Sequence, residues 1–225
     1  MNKLITFGCS NTYGQGLPDC YDPEIPWRQG PNPSKYAWPQ LLADSLDWQL
    51  VNLGMPGVSN KYIERVVLNQ EYKENDVVVI LWTYSARSHL YFDDGTSLRL
   101  LPTDLEYSAY TKNYSCYFDQ KITKFYYKRM HSDFDSWLDF FTRLNNVRDY
   151  LDWKGVKNYH FSCEDHRESY FNKSPDWNRT KLHWTPFDLS LHPALDKIHP
   201  GEQSHINLAN TMFNIINTYI INEGI

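Results

Sequence analysis

The sequence contains no apolar run approaching the roughly 20 residues that a bilayer-spanning helix needs. The apolar stretch at its start, MNKLITF, is too short for a secretory signal peptide. These two absences predict a cytoplasmic protein with no membrane partner. Cations are also in the minority, with 22 Lys and Arg against 27 Asp and Glu, which gives a net charge of -5. Since phosphate binding needs a surplus of Lys and Arg, we expect no nucleic acid partner.

Metal and nucleotide motifs are missing as well. The 4 cysteines are widely and irregularly spaced, so no zinc-type C-x-x-C pair exists. Four histidines, His160, His166, His183 and His192, show no metal-ligand spacing with Asp, Glu or Cys. Neither a G-x-x-x-x-G-K-[ST] loop nor a G-x-G-x-x-G fingerprint occurs, which disfavours a nucleotide-binding module. We expect no metal and no cofactor.

Aromatic residues are abundant, at 16% of the chain, with 17 Tyr and 8 Trp. Their rings can stack on the faces of sugars, but they equally fill cores and subunit interfaces. We expect most of them to lie in the core or in an interface, so the sequence is compatible with a homo-oligomer.

Strand patterns alternate with helix patterns along the chain, which predicts a parallel sheet with crossover helices in one domain, 1–225. The nearly unbroken β-branched run DVVVILW is typical of a strand buried on both faces. The predicted strands are Lys3–Phe7, Trp48–Leu53, Asp76–Trp82 and Val156–Ser162. The predicted helices are Ser34–Leu46, one capped by Ser59 or Asn60, Asp133–Leu151 and Gly201–Ile221.

Two segments break this rhythm. Residues 88–131 have a turn signal at Asp93–Gly95 and no clear period, so we interpret them as an insertion or lid beside the sheet. Within them, the basic run Lys121–Arg129 is interpreted as a solvated face or a loop. Residues 163–198 are predicted to be an irregular loop.

The first candidate site is Ser10, in the small, polar stretch after the first strand. Loops at strand ends of an open parallel sheet line the crevice where ligands bind. Ser10 can present its hydroxyl there as a nucleophile while its N–H faces an oxyanion. The alternative is a helix cap beside turn-forming glycines. The neighbouring Cys9 is a weaker nucleophile candidate, since strand alternation would point it away.

The second candidate site is Asp196 and His199, just before the last predicted helix. A nucleophilic serine needs a base, and the base needs a group that fixes its tautomer. A three-residue separation lets the carboxylate fold back under the imidazole. Alternatively, the Asp only caps the helix beside a surface histidine. The third candidate site is Gly57, in the loop after the predicted strand Trp48–Leu53. Its backbone N–H either donates to a ligand or simply belongs to a turn.

Together these blocks resemble the SGNH (GDSL-like) serine hydrolase family. Gly8-Cys9-Ser10 matches its G-D-S block, and Asn52 to Gly57 matches its N-x-x-x-x-G block. The family's last block is D-x-x-H, which commonly runs on as H-P-x-x-x-G-H-x-x-x-A. It is matched here by Asp196, His199, Pro200, His205 and Ala209, with Ser204 where Gly is usual. The resemblance implies a three-layer α/β/α, flavodoxin-like fold with a parallel sheet of about five strands. It implies that Ser10 is the nucleophile, His199 the base and Asp196 its orienter. The N–H groups of Ser10 and Gly57 would then belong to the oxyanion hole.

One departure from the family concerns its G-x-N-D block, whose Asn donates to the oxyanion. The matching stretch, Leu81–Arg87, has neither Gly nor Asn. Tyr84, Ser85 or Arg87 can donate instead, and Arg87 is the strongest candidate because it is charged. The alternative for Arg87 is a structural salt bridge. Its W-T-x-x-x-R setting is similar to small phage-type GDSL-like proteins, which implies a phage-encoded protein.

The sequence thus predicts a serine esterase that hydrolyses a short acyl ester, with an O-acyl group on a carbohydrate as the preferred substrate. An acyltransferase using the same site is an open alternative. A catalytically silent binding or structural module is another, and the missing Asn block supports it. The joint presence of Ser10, Gly57, Asp196 and His199 argues against a decayed site.

Overall fold

The structure is a computed structural model that describes residues 2–24, 30–102, 116–117, 119–164, 182–184 and 192–223. Its strands are β1 (Lys3–Gly8), β2 (Gln49–Asn52), β3 (Asp76–Trp82), β4 (Ser88–Tyr91), β5 (Ser97–Leu100), β6 (Cys116–Tyr117), β7 (Lys157–Ser162) and β8 (Leu182–Trp184). Its helices are α1 (Ser10–Tyr13), α2 (Trp38–Leu46), α3 (Asn60–Asn69), α4 (Gln120–Arg129), α5 (Asp133–Trp153) and α6 (Glu202–Glu223).

The central sheet has 5 strands in the order β2-β1-β3-β7-β8. Every neighbouring pair in it is parallel, so all the strands end at the same edge. A smaller sheet, in the order β4-β5-β6, follows β3 in the chain. The strand order is that of flavodoxin-like folds, in which ligands bind where the order reverses, here between β1 and β3. The predicted three-layer α/β/α fold is confirmed.

Two apolar layers enclose the central sheet. On one face α3 and α5 pack against Ile5 and Ile80, and on the other face α2 and α6 pack against Leu4 and Val79. Successive side chains of a strand point to opposite faces, so a strand covered on both sides needs apolar residues throughout. This explains the unbroken apolar run of β3, in which every residue is buried.

The predicted helix Ser34–Leu46 begins later than expected, at Trp38. Ser34 instead donates its hydroxyl to Asp19 at 2.5 Å and accepts the backbone N–H of Tyr36 at 3.0 Å. These local hydrogen bonds hold a turn, and Pro39 then stands in the first turn of α2, where its missing N–H costs nothing.

Both irregular segments contain more regular structure than the sequence predicted. In 88–131, β4 and β5 form an antiparallel hairpin, and Lys121–Arg129 belongs to α4. The lysine and arginine side chains of this run are exposed, which confirms the interpretation as a solvated face and not the one as a loop. In 163–198, β8 pairs with β7 and supplies the last strand of the central sheet. Strands of three or four residues are too short to show a periodic sequence pattern, and their formation depends on pairing with distant strands. Residues 103–115, 118, 165–181 and 185–191 lie outside the described part, so the interpretation of 88–131 as an insertion or lid stays a prediction.

None of the helices in the described ranges combines the length and apolarity needed to cross a membrane.

Candidate active site

Asp196 and His199 form a hydrogen-bonded pair before α6. The Nδ1 of His199 lies 2.6 Å from Oδ2 of Asp196. The other carboxylate oxygen accepts the backbone N–H groups of Ile198 at 2.9 Å and of His199 at 3.0 Å. Because an ionised carboxylate only accepts, His199 carries its proton on Nδ1, which leaves Nε2 as a proton acceptor. This is the arrangement expected of a catalytic base and its orienter.

Burial shapes the electrostatics of this pair. The side chain of Asp196 is 3% exposed, whereas that of His199 is 18% exposed. Burial alone would raise the pKa of the Asp196 carboxyl. The hydrogen bonds from the His199 ring and from the N–H groups of His199 and Ile198 outweigh it and hold that pKa below its usual value. Asp196 is therefore ionised at neutral pH.

The chain before α6 is closed into a tight loop that fixes this geometry. Ala194 donates its N–H to the carbonyl of His199 at 2.8 Å, and Gly201 donates to the carbonyl of His192 at 2.6 Å. Lys197, inside the loop, adopts a left-handed conformation with φ of 59°. The loop thus turns back within three residues, which brings the Asp196 carboxylate under the ring.

The N-terminal and C-terminal parts of the chain meet beside this pair. The N–H of Leu195 donates to the carbonyl of Gly16 at 3.1 Å. A Cβ on Gly16 would lie 2.5 Å from Oδ2 of Asp196, so only glycine lets the two loops approach this closely. The segment that follows Ser10 is therefore packed directly on the carboxylate of the Asp–His pair.

Ser10 is the first residue of α1, directly after the loop that ends β1, and is 3% exposed. Its hydroxyl lies 4.0 Å from Sγ of Cys9. Strand alternation ends at Gly8, so the expectation that Cys9 points away from Ser10 does not apply. Among the described residues, Ser10 and His199 share no hydrogen bond. Catalytic hydrogen bonds are often loose without substrate, so this contact stays a prediction.

Gly57 follows β2 and has a φ of 73°, which favours glycine. Asn52 ties this loop to α1, because its amide donates to the carbonyl of Thr12 and accepts the N–H of Gly54, both at 2.9 Å. A Cβ on Gly57 would overlap Nη1 of Arg99, a residue of β5. The predicted oxyanion loop is thus covered by a guanidinium that the sequence did not single out.

The stretch that replaces G-x-N-D lies between β3 and β4. The guanidinium of Arg87 stacks on the ring of Tyr84, with 5.0 Å between its Cζ and the ring centroid. Burial, together with the nearby Cys163 and Cys9 thiols, raises the pKa of Tyr84 to about 12, so its O–H remains a donor. The N–H of Ser85 is engaged, since it donates to Oε2 of Glu164 at 2.8 Å.

Arg87 lies near the end of β1. A hydrogen bond with the Cys163 thiol and the positive charge of Arg87 lower the pKa of the Cys9 thiol, against the effect of burial. Nη1 of Arg87 is buried without a hydrogen-bond acceptor, and none of the described carboxylates forms an ion pair with it. The alternative interpretation of Arg87 as a salt-bridge residue therefore has no support within the described ranges.

In the part of the chain that the structure describes, no group of three or more His, Cys, Asp or Glu residues lies close enough to hold a metal ion. His205, from the last block, is fully buried, and its Nδ1 accepts the N–H of Trp38 at 3.1 Å. It therefore packs α6 against the start of α2.

The sequence reasoning missed Arg99 and Gly16 as parts of this region. Arg99 sits in a hairpin whose strands are too short to show a period. Gly16 had a visible signal, since it closes the Gly14-Gln15-Gly16 run, but the partner that requires it is 180 residues away in Asp196. Only the fold reveals such contacts.

The central fold is similar to that of solved carbohydrate esterases. An acetyl xylan esterase, Est2A, from the rumen bacterium Butyrivibrio proteoclasticus aligns with a TM-score of 0.57 and 13% identity, over 99% of this chain and 64% of that one. A family two carbohydrate esterase from Clostridium thermocellum, solved with cellohexaose, aligns with a TM-score of 0.52 and 15% identity, over 97% and 64%.

A further carbohydrate esterase, whose active site is described as having divergent catalytic and non-catalytic binding functions, aligns with a TM-score of 0.55 and 14% identity, over 96% of this chain and 65% of that one. The chain spans 64–65% of the length of these three proteins. At such low identity the likeness shows the fold alone.

No curated protein is significantly similar to this chain in sequence. One family model matches residues 21–198, a range that contains Gly57, Arg87 and Asp196 and lies between Ser10 and His199. The chain therefore belongs to DUF6071, a family of unknown function.

Proposed function

We propose that this protein is a serine esterase that removes a short acyl group, such as acetyl, from a hydroxyl of a carbohydrate. The proposal depends chiefly on one observation, the 2.6 Å hydrogen bond between Asp196 and His199 on a loop packed against the segment that follows Ser10. The three-layer fold, which carbohydrate esterases share, supports it.

In the proposed reaction, Nε2 of His199 takes the proton of the Ser10 hydroxyl as Oγ attacks the ester carbonyl. Asp196 stabilises the imidazolium that forms, because its carboxylate stays ionised beside Nδ1. The protonated ring then gives its proton to the leaving sugar oxygen, which leaves the acyl group on Ser10. Water, deprotonated by His199, hydrolyses this intermediate and frees the serine.

The oxyanion of each tetrahedral intermediate needs donors. The N–H groups of Ser10 and Gly57 are two of them in this proposal, and the positive φ of Gly57 suits a backbone that approaches a ligand. Arg87 is the third and takes the place of the family's Asn. Its buried Nη1 supports this role, since a buried N–H without an acceptor is costly until a ligand accepts from it. The ring of Tyr84, on which the Arg87 guanidinium stacks, helps to hold that guanidinium in place.

A silent binding module is the second candidate function, and one observation favours it. The hydroxyl of Ser10 is buried and contacts the sulfur of Cys9 at 4.0 Å, without a hydrogen bond to a described base. Such a serine needs a small movement before it can transfer its proton.

Hydrolysis of 4-nitrophenyl acetate by the intact chain, Ser10→Ala and Cys9→Ala separates these candidates. We expect Ser10→Ala to lose roughly 1,000-fold or more in kcat, as nucleophile removal does in serine hydrolases. Cys9→Ala should keep most of the activity, because its thiol is not the nucleophile. Equal rates for the intact chain and Ser10→Ala would refute the serine mechanism. Rates at the uncatalysed background for all three would favour the binding module.

A further inference from the structure

A cavity lies beside the beginning of β7, away from the edge of the sheet at which the parallel strands end. Its volume is about 380 Å³, within the range of roughly 300–1,000 Å³ that small-molecule sites occupy. β7 has 6 residues, so its two ends are about 17 Å apart. We refer to this cavity as the distal pocket. The side chains that line it include Asp152, Lys157, Asn158, Tyr159, His183 and Tyr219.

Three aromatic rings from three different elements meet at the distal pocket. The Tyr219 ring, from α6, has its centroid 5.8 Å from that of Tyr159 in β7 and 6.2 Å from that of His183 in β8. The ring planes are tilted by 58° and 68°, so the rings do not stack face to face. All three side chains are only half-buried, whereas the neighbouring core ring of Phe161 is fully buried. The three rings therefore keep surface that a ligand can cover.

Two of these rings also offer polar groups. Neither His183 nor Tyr219 forms a hydrogen bond with any described residue. Burial lowers the pKa of His183, so its ring is neutral at physiological pH and has one N–H donor and one acceptor nitrogen. The hydroxyl of Tyr219 can both donate and accept. These groups are available to a ligand in the pocket.

A chain of hydrogen bonds from the core orients the carboxylate of Asp152. The indole N–H of Trp82 donates to Nδ1 of His160 at 3.1 Å, and Nε2 of His160 lies 2.8 Å from Oδ1 of Asn158. Because indole only donates, the hydrogen of the neutral His160 ring is on Nε2. Burial lowers the pKa of His160 to about 3 and so keeps that ring neutral. The amide of Asn158 then donates to Oδ1 of Asp152 at 2.8 Å.

This chain holds Asp152 in place without using both of its oxygens. The residue is exposed, and its Oδ2 accepts no hydrogen bond from the described residues. An exposed side chain normally loses rotamer freedom when it binds a ligand, but Asn158 already restricts this one. A fixed carboxylate beside aromatic rings suits a ligand whose hydroxyls donate hydrogen bonds, since bonds to a charged acceptor are strong.

The groups around the pocket favour a neutral ligand with many hydroxyls. One carboxylate, of Asp152, and one ammonium, of Lys157, line it, so neither an anion nor a cation has a clear advantage. A purely apolar ligand would leave the polar groups of His183, Tyr219 and Asp152 without partners. A sugar ring combines a face of C–H groups, which packs on aromatic rings, with hydroxyls around its rim.

We infer that the distal pocket binds a neutral sugar ring, separately from the site that contains Ser10 and His199. The inference does not depend on the proposed esterase function, because no residue of the pocket takes part in the proposed reaction. A glycan held beside the beginning of β7 would leave the strand ends that carry the candidate active site free for a substrate.

NMR titration of the 15N-labelled intact chain tests the pocket directly. The probes are methyl β-glucoside, methyl β-galactoside, methyl β-xyloside and cellobiose. We expect at least one of them to shift the amide resonances of Gly155, Lys157 and His183, with a Kd in the millimolar range or below. Sorbitol, which has hydroxyls but no ring, is the matched control and should not shift them. No shift of these resonances with any sugar, or equal shifts with sorbitol, would overturn the inference.

Variants connect binding to particular side chains. Tyr219→Ala should raise the Kd of the bound sugar by roughly 2- to 10-fold, and Tyr219→Phe should raise it less because the ring remains. Asp152→Ala removes an exposed carboxylate without opening the core, and should raise the Kd by roughly 10-fold.

Tyr126→Ala is the matched control for the tyrosine. The Tyr126 ring is also half-buried and meets the Tyr127 ring at 5.0 Å, but it belongs to α4. The control should keep the Kd of the intact chain. An equal rise in Tyr126→Ala, or no rise in both Tyr219→Ala and Asp152→Ala, would contradict the inference.

Ser10→Ala separates this inference from the proposed function. The variant should bind the sugar with the Kd of the intact chain, and Asp152→Ala should keep the kcat of the intact chain on 4-nitrophenyl acetate. Sugar binding that persists in Ser10→Ala and weakens in Asp152→Ala supports the distal pocket even if no esterase activity is found. Loss of sugar binding in Ser10→Ala with no loss in Asp152→Ala would place the sugar in the active site and overturn the inference.

Discussion

The two halves of the candidate site differ in how their charges are compensated. On one side, the Asp196 carboxylate accepts three hydrogen bonds, all from its own loop. On the other side, the guanidinium of Arg87 stacks on the ring of Tyr84 and pairs with no described carboxylate. The first half is complete without a ligand, whereas Nη1 of Arg87 is buried with no acceptor among the described residues.

This difference separates two tasks. A catalytic base must hold its tautomer before substrate arrives, and preorganisation of this kind costs nothing at the moment of reaction. Groups that stabilise a developing or bound anion are most useful when no protein anion competes for them. We therefore expect the two halves to respond differently to mutation, with the largest losses of activity in the half that is already complete.

Replacing Asp196 by Asn should have the largest effect. The amide can still accept the N–H groups of Ile198 and His199, but its NH2 would face Nδ1 and favour the wrong tautomer. We expect kcat to fall by roughly 10,000-fold with little change in KM. The matched control is Asp133→Asn, which breaks an exposed pair in which Asp133 lies 3.0 Å from Nε2 of His131. A similar kcat in both variants would contradict the role of Asp196.

Replacing Arg87 by Met should have the next largest effect, through loss of an oxyanion donor. We expect kcat to fall by roughly 100- to 1,000-fold, and Arg87→Lys to recover part of it because one charged donor remains. The measurement is kcat and KM on a neutral ester, so that substrate charge plays no part. A change confined to KM would place Arg87 in substrate binding and remove it from the oxyanion hole.

Replacing Gly57 by Ala tests the contact between Gly57 and Arg99, and its effect should be smaller. The new Cβ meets Arg99 at a φ of 73°, so urea denaturation should show a loss of about 1–3 kcal/mol in the free energy of unfolding. Gly95→Ala is the control, since Gly95 has a φ of 82° and open space around it. The difference between the two variants should shrink when Arg99→Ala is added. No change on adding it would mean that Arg99 does not crowd Gly57.

The smallest expected effect concerns the pKa of His89, which is about 4 in the folded chain. Because an unfolded histidine titrates near a pKa of about 6.5, the unfolded chain binds a proton that the folded chain refuses. His89 therefore lowers stability as pH falls from about 6.5 towards 4. In Arg99→Ala the pKa of His89 should rise but stay below its ordinary value, since burial is the larger cause. NMR titration of His89 measures this change, and a fall in the pKa would contradict the effect of the Arg99 charge on His89.

The sequence predicted the parts of the fold that depend on local patterns. The β-branched run of β3 and the Asp196-to-His199 spacing are short, continuous signals, and the structure has both the strand and the hydrogen-bonded pair. Ser59, one of the two caps considered for α3, does accept the N–H of Tyr62. Such features need no knowledge of distant contacts.

The parts that the sequence did not predict depend on distant contacts. β8 is a three-residue strand that exists because it pairs with β7, and Arg99 matters because a hairpin folds it onto Gly57. α4 contains the basic run of Lys121–Arg129, whose cations and aromatic rings blur a helical period. The phage origin, the cytoplasmic location and the Ser10–His199 contact remain predictions.

The most direct test of the account is mass spectrometry of the chain after reaction with a fluorophosphonate, which modifies activated serines without requiring the natural substrate. The account predicts a single covalent adduct that maps to Ser10, with labelling greatly slowed in Asp196→Asn. An adduct on another residue, or no adduct on the folded chain, would contradict the central claim that Ser10 is activated by the Asp196–His199 pair.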